Sequence, residues 1–221
     1  TIVEESTSDE EKGGDGGGFS PKSGRVAIVT GGARGIGAAI TTALARTGVH
    51  VAAGYSSNSK AADELKGKLE AEGASVSVHQ GNVGSPEDCQ RVVSEVLEQR
   101  GRVDYLINNA GITVDKTVRK LTVDDWHAVL RINLSGAFYM TKAVLEHMTG
   151  NEFGRIVNIS SVVGITGNIG QSNYAASKAG LFGLTEAEII YSPLLSLFPD
   201  NQHESVEQLV RQGSGRPEEF M

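Results

Sequence analysis

Tyr174 and Lys178 stand four apart in the run Gln171-Ser-Asn-Tyr-Ala-Ala-Ser-Lys-Ala-Gly180, which is otherwise built largely of small residues. Four residues is just over one helical turn, so on a helix a phenol and an ammonium share a face with Cβ atoms roughly 5–6 Å apart. A free tyrosine has a pKa near ~10, so its phenolate is scarce at neutral pH; a neighbouring ammonium favours it, each pKa unit being worth about 1.4 kcal/mol. The pair reads as proton-transfer chemistry, and the small residues between leave room on that face for a ligand.

A second chemical feature is the turn Thr30-Gly-Gly-Ala-Arg-Gly-Ile-Gly37, between a short apolar run and a helical pattern. There backbone amides and a helix dipole can hold a pyrophosphate. The glycines Gly31, Gly35 and Gly37 meet the demands of a dinucleotide site: a tight turn, close approach of backbone to phosphate, and close packing of helix on strand. An NAD site usually carries an acid at the end of its second strand to grip the ribose 2′-hydroxyl. Here Tyr55 takes that place, followed by Ser56 and Ser57. Without the acid nothing repels a 2′-phosphate, and Arg34 supplies a positive partner for one, so NADPH is expected over NADH.

The elements that must position these groups follow one rhythm. Arg25–Thr30 reads as a strand, Ile36–Arg46 as a helix and Val49–Ala53 as a strand, a βαβ unit. A helix over about Ala61–Ala71, a strand over Ala74–Val78 and a further helix follow. That helix has Ser85 as its cap, Pro86 in its first turn and Asp88 in capping-box position. Val103–Ile107 and Arg155–Ile159 read as the fourth and fifth strands; a helix start at Thr122–Asp125 and a helix over Leu134–His147 lie between them. Such alternation implies a mainly parallel sheet covered on both faces, with ligands beyond the carboxyl ends of its strands.

The 221 residues suit one domain or two small ones. Formal net charge is -7, and residues 1–24 contribute -4 of it through Glu4, Glu5, Asp9, Glu10, Glu11 and Asp15 against Lys12 and Lys22. A basic face for nucleic acid is not indicated. One cysteine, Cys89, excludes an internal disulfide. No apolar run approaches the roughly 20 residues of a membrane helix, and the acidic start lacks the basic and apolar regions of a secretory signal. A soluble, cytoplasmic protein is expected, away from membranes.

With these pieces placed, the sequence resembles the short-chain dehydrogenase/reductase family from Arg25 to about Thr185. The motifs are the Thr30–Gly37 turn, Asn108-Asn-Ala-Gly111 after the fourth strand, Asn133 at the head of the long helix, Asn158-Ile-Ser-Ser161 after the fifth strand, and Tyr174-x-x-x-Lys178. The resemblance implies cofactor contacts from Gly31, Arg34, Gly35, Ile36, Gly37 and Tyr55. It adds Asn109, Ala110 and Gly111 along the adenosine side, with Asn82 and Val83 flanking the adenine, Asn82 standing where the family more often has Asp. It implies that Tyr174 gives a proton to a carbonyl oxygen while hydride arrives from the nicotinamide. Lys178 would hold the ribose hydroxyls, and Ser161, with Ser160 as its immediate rival, would bind the substrate carbonyl. Asn133 would anchor a water that refills the tyrosine, and Gln171 is a candidate substrate contact.

The wording around Gly154–Gly164 and Gly170–Gly180 resembles the branch reducing 3-oxoacyl thioesters on coenzyme A or acyl carrier protein. Steroid, sugar or polyol dehydrogenases of the family are the alternative. After Thr185 the resemblance stops: Glu186–Pro193 does not continue the family's helix and sixth strand, and the Pro-Gly turn that contacts the nicotinamide amide has no counterpart. Ser205–Arg211 is helical in pattern, and Gly215–Glu219 resembles the segment opening a later family helix.

The expected fold is thus α/β, a Rossmann-like doubly wound parallel sheet lacking its last strands. Residues 1–24 are expected as a disordered tail, 25–190 as the dinucleotide-binding domain and 191–221 as an atypical segment. Such a loss leaves sheet edges and helix faces uncovered, which admits a second reading: a non-catalytic dinucleotide-binding or interaction protein. Family members pair through the helices that carry Asn133 and Tyr174, so a homo-oligomer is expected.

Overall fold

The computed structural model describes residues 24–188. The expectations about an acidic tail, an atypical 191–221 segment and missing last strands fall, Gly24 apart, outside that range. Five strands, β1 (Val26–Val29), β2 (His50–Tyr55), β3 (Val76–Gln80), β4 (Tyr105–Asn108) and β5 (Arg155–Asn158), form one parallel sheet in the order β3-β2-β1-β4-β5. Between the strands lie α1 (Gly35–Arg46), α2 (Ser59–Ala71), α3 (Pro86–Arg100), and α4 (Val123–Leu130) running through a π-helical turn (Arg131–Ser135) into α5 (Gly136–Gly150). After β5 come α6 (Val163–Thr166) and α7 (Ser172–Glu188). This is the Rossmann-like doubly wound sheet the alternation foretells. No helix among the described residues is long and apolar enough to cross a membrane.

All four residues of β1 are buried because both faces of the sheet are covered. Ala27 and Val29 pack with Ile40 and Leu44 of α1 and Leu69 of α2. Val26 and Ile28 pack on the other face with Val93 and Val96 of α3 and Met140 and Val144 of α5. Burying a side chain of this size contributes about 1.5–3 kcal/mol. Truncating Ile28 to Ala would remove contacts from a filled layer and cost about 2–5 kcal/mol.

Local signals place the helices, with three corrections. Thr122 and Asp125 form a complete capping box at the start of α4. Ser85 caps α3 by accepting from the Asp88 N–H, but the reciprocal arm is not made: Asp88 accepts from the Asn82 N–H at 2.8 Å and from Arg91 at 3.0 Å. Strand β3 is shifted towards the C-terminus of its expected span, since its pairing with β2 runs on to Gln80 opposite Tyr55. Asn133 does not head a helix. From Val123 to Gly150 the chain stays helical, with neither Pro nor a left-handed residue to stop it, and Asn133 sits in the π-turn midway.

The strand order reverses between β1 and β4, so the loops that follow these two strands meet at the carboxyl edge of the sheet. Thr30 joins them. Its Oγ1 accepts from the N–H groups of Asn109 and Ala110, both at 3.0 Å.

Candidate active site

The glycine turn is held in a shape only small residues permit. Gly31 and Gly35 have φ of 62° and 54°, and a Cβ on Gly37 would lie 2.1 Å from the Gly31 carbonyl oxygen. Asn109 fixes the turn from the neighbouring loop, its Nδ2 donating to the carbonyls of Thr30 at 2.9 Å and Gly31 at 3.3 Å. The first turn of α1 carries no acid, so its amides and dipole face the cleft without opposition.

Beyond this turn opens a cleft of ≈ 960 Å³. Gly31, Arg34, Gly35, Ile36, Gly37, Tyr55, Asn82, Val83, Asn109, Ala110 and Gly111, all expected at a cofactor, line it. Its far wall carries Tyr55, Ser56, Ser57 and Asn58, and Arg34 is exposed at the N-cap of α1 with no capping bond to occupy its side chain. Asp88 is the acid among the lining residues; its pKa is lowered by the hydrogen bonds from Asn82 and Arg91. The lining suits a dinucleotide: glycine backbone for phosphates, with hydroxyls, an arginine and small amides around it.

A second cleft of ≈ 820 Å³ shares Arg34, Ile36, Asn109, Gly111, Ile112 and Thr113 with the first and adds Ser161, Tyr174 and Lys178. Tyr174 and Lys178 lie one turn apart on α7, the Lys178 Nζ 5.7 Å from the centre of the Tyr174 ring. Lys178 is 4% exposed and donates to the Ile159 carbonyl at 2.6 Å. Burial lowers its pKa from 10.5 to about 8. Ammonium has three donors, so two remain for other partners. Of the two serines, Ser160 donates to the Lys178 carbonyl at 2.8 Å, whereas Ser161 Oγ accepts from the Val163 N–H at 3.2 Å and keeps its proton for an incoming group.

Three expectations fare differently. Asn133, 2% exposed, uses both amide protons, donating to the Ile112 carbonyl at 3.0 Å and to Ser177 Oγ at 3.1 Å; its Oδ1 accepts from the Ile112 N–H at 2.8 Å. A water relay through its side chain is left with a lone pair of Oδ1 and no donor. Gln171 lines neither cleft: it donates to Asp115 at 3.2 Å and accepts from Asn168 at 2.9 Å. The small residues between Tyr174 and Lys178 line neither cleft either, because intervening positions on a helix point away from the face shared by i and i+4. Of the three, Ser177 is fully buried against Asn133, Ala175 is half-buried and Ala176 is exposed.

Two asparagines of the sequence motifs serve the fold. Asn108, at the end of β4, donates to Asn158 of β5 at 2.9 Å, and Asn158 donates to Thr185 of α7 at 2.9 Å. This ladder ties α7 to the sheet.

A family model described as short chain dehydrogenase matches residues 25–188. A 3-oxoacyl-(acyl-carrier-protein) reductase of Synechocystis sp. is 43% identical over 162 residues, covering 73% of this chain and 66% of its own. An acetoacetyl-CoA reductase of Shinella zoogloeoides is 47% identical over 163 residues, 74% of this chain and 66% of its own. A 3-oxoacyl-(acyl-carrier-protein) reductase of Thermotoga maritima is 38% identical over 214 residues, 89% and 87% of the two chains. The crystal structure of gox2181 superposes with a TM-score of 0.73 at 37% identity, over 76% of this chain and 66% of that one. The chain spans just under two thirds of the length of the Synechocystis and Shinella relatives. Because the matched residues 25–188 carry the whole described sheet and both clefts, this chain belongs to the short chain dehydrogenase family.

Proposed function

We propose that the protein is an NADPH-dependent reductase that converts a 3-oxoacyl thioester, carried on coenzyme A or acyl carrier protein, to the 3-hydroxyacyl thioester. The observation that carries this reading is the shared wall of the two clefts: the glycine turn and the Tyr174–Lys178 pair line adjoining clefts that have six residues in common. The names of the relatives at 43% and 47% identity direct the choice of substrate class. The glycine turn and the start of α1 would hold the pyrophosphate, Asn82 and Val83 the adenine, and Arg34 the 2′-phosphate. When bound, the reduced nicotinamide supplies the hydride.

The rest is the work of this chain's side chains. Ser161 Oγ–H would hold the substrate carbonyl oxygen, and the Tyr174 hydroxyl would pass it a proton as the carbonyl carbon becomes a CH–OH centre. With a pKa of about 8, Lys178 is largely charged at neutral pH. It would favour the phenolate that Tyr174 leaves behind, with its two remaining donors for the ribose hydroxyls. Gly111 keeps the space beside Lys178 clear, since a methyl there would lie 3.7 Å from Nζ.

The expected homo-oligomer belongs to this reading too. Phe138 and Leu145 on α5 are 47% and 41% exposed, and Phe182 on α7 is 39% exposed, apolar area that a second copy would cover. The cytoplasmic setting is likewise part of it. The function is tested by following NADPH oxidation by the full chain with acetoacetyl-CoA, and separately with steroid, sugar and polyol-derived ketones. Faster turnover of the thioester is expected; preference for one of the others would overturn the substrate class.

A further inference from the structure

Tyr174 is held by its backbone at both sides, and both holds lead to the same loop. Its N–H donates to Asn173 Oδ1 at 2.8 Å, and Asn173 Nδ2 donates to the Val114 carbonyl at 3.2 Å. Its carbonyl accepts from Ser177 Oγ at 2.8 Å, and Ser177 Oγ accepts from Asn133 Nδ2 at 3.1 Å. Asn133 in turn grips Ile112 by its N–H and its carbonyl, at 2.8 and 3.0 Å. The path closes on itself through Ile112, Thr113 and Val114. Asn173 and Ser177 are both fully buried, and each donates one bond and accepts one within this path.

The loop that closes the ring is a wall of both clefts, which Ile112 and Thr113 line together. We infer that Asn173 and Ser177 are positioning residues, which with Asn133 lock the backbone of Tyr174 to the segment Ile112–Val114, so that the wall touched by cofactor and substrate sets where the phenol stands. This rests on the function proposed above. Neither residue lines either of these two clefts, which places both outside contact with cofactor and substrate. A displacement of the phenol by about 1 Å is enough to cost on the order of 100-fold in rate. Binding of the dinucleotide along the glycine turn does not need the ring.

The test uses the full chain and three variants, Ser177→Ala, Asn173→Ala and Asn173→Asp. The Asp variant retains the acceptor for the Tyr174 N–H and loses the donor to Val114. Expected are a fall in kcat of roughly 10- to 100-fold with KM for NADPH held within about twofold, the Asp variant falling with the Ala variant. A loss spread equally over kcat and NADPH affinity would overturn the positioning role. Amide hydrogen exchange supplies a readout independent of turnover: Ser177→Ala is expected to speed exchange in residues 112–116 as well as in 172–178. Acceleration confined to 172–178 would show that no ring exists. If the wild-type chain turns over no thioester, the proposed function fails and exchange alone decides the ring.

Discussion

Lys178 Nζ lies 5.7 Å from the centre of the Tyr174 ring and donates to the Ile159 carbonyl at 2.6 Å, with no carboxylate paired to it among the described residues. A buried ammonium without a counter-ion is a stability cost kept for chemistry. Its pKa falls from 10.5 to about 8 on folding, so between those values the unfolded chain binds the extra proton and stability rises with pH. The full gain is on the order of 3 kcal/mol. In Lys178→Met that rise between pH 8 and 10.5 should be missing, while turnover is lost. Parallel pH profiles of the unfolding free energy in the two proteins would contradict the assignment.

Glycines divide into those that shape the turn and those that do not. Gly37→Ala would place a methyl against the Gly31 carbonyl, a backbone atom that cannot move without opening the turn. A loss of NADPH affinity and of stability by about 2 kcal/mol or more is expected. Gly67, in the interior of α2, has nothing within 4 Å of a Cβ and no positive φ. Gly67→Ala should stabilise by roughly 0.5–1 kcal/mol with cofactor binding unchanged. Thermal melts of the two variants with and without NADPH check both.

Cofactor choice should depend on Arg34 and Tyr55. Arg34→Ala is expected to weaken NADPH about 10-fold or more and to leave NADH nearly untouched, since only the 2′-phosphate loses its partner. Tyr55→Asp should turn the preference towards NADH by placing an acid near the ribose. Equal losses for both dinucleotides in Arg34→Ala would remove Arg34 from the phosphate site.

The sequence was legible where structure is local. The turn from Thr30 to Gly37, the helix start at Thr122–Asp125 and the shared face of Tyr174 and Lys178 all act within a few residues, and all are found as read. What stayed hidden is long-range. Asn133 looked like a helix start because asparagine caps helices; its partners Ile112 and Ser177 are 21 and 44 residues away. Asp88 fits a capping box by spacing, yet the Asn82 N–H competes for its carboxylate. Gln171 sits among motif residues but is taken up by Asp115, 56 residues distant.

A chain of hydrogen bonds around two buried histidines at the β2–β3 edge makes folding sensitive to acid. His50 bonds Ser75 at 2.8 Å and Ser77 at 3.0 Å, Ser77 bonds His79 at 2.9 Å, and His79 meets Glu95 at 3.0 Å. Burial, with Arg100 and His79 nearby, lowers the His50 pKa from 6.5 to about 4. The contribution of neutral His50 is therefore complete above about pH 6.5 and is lost as pH falls towards 4, by on the order of 3 kcal/mol. In His50→Gln the drop in melting temperature between pH 7 and about pH 4 should be smaller than in the wild type; an identical drop would assign the acid sensitivity elsewhere.

In the proposed reaction Tyr174 passes a proton to the carbonyl of a 3-oxoacyl thioester. The most direct measurement is NADPH-dependent turnover of acetoacetyl-CoA by Tyr174→Phe beside the wild type, with NADPH binding measured on the same samples. Turnover should fall by at least about 100-fold while NADPH binds as before. Turnover retained by the phenylalanine variant would contradict it.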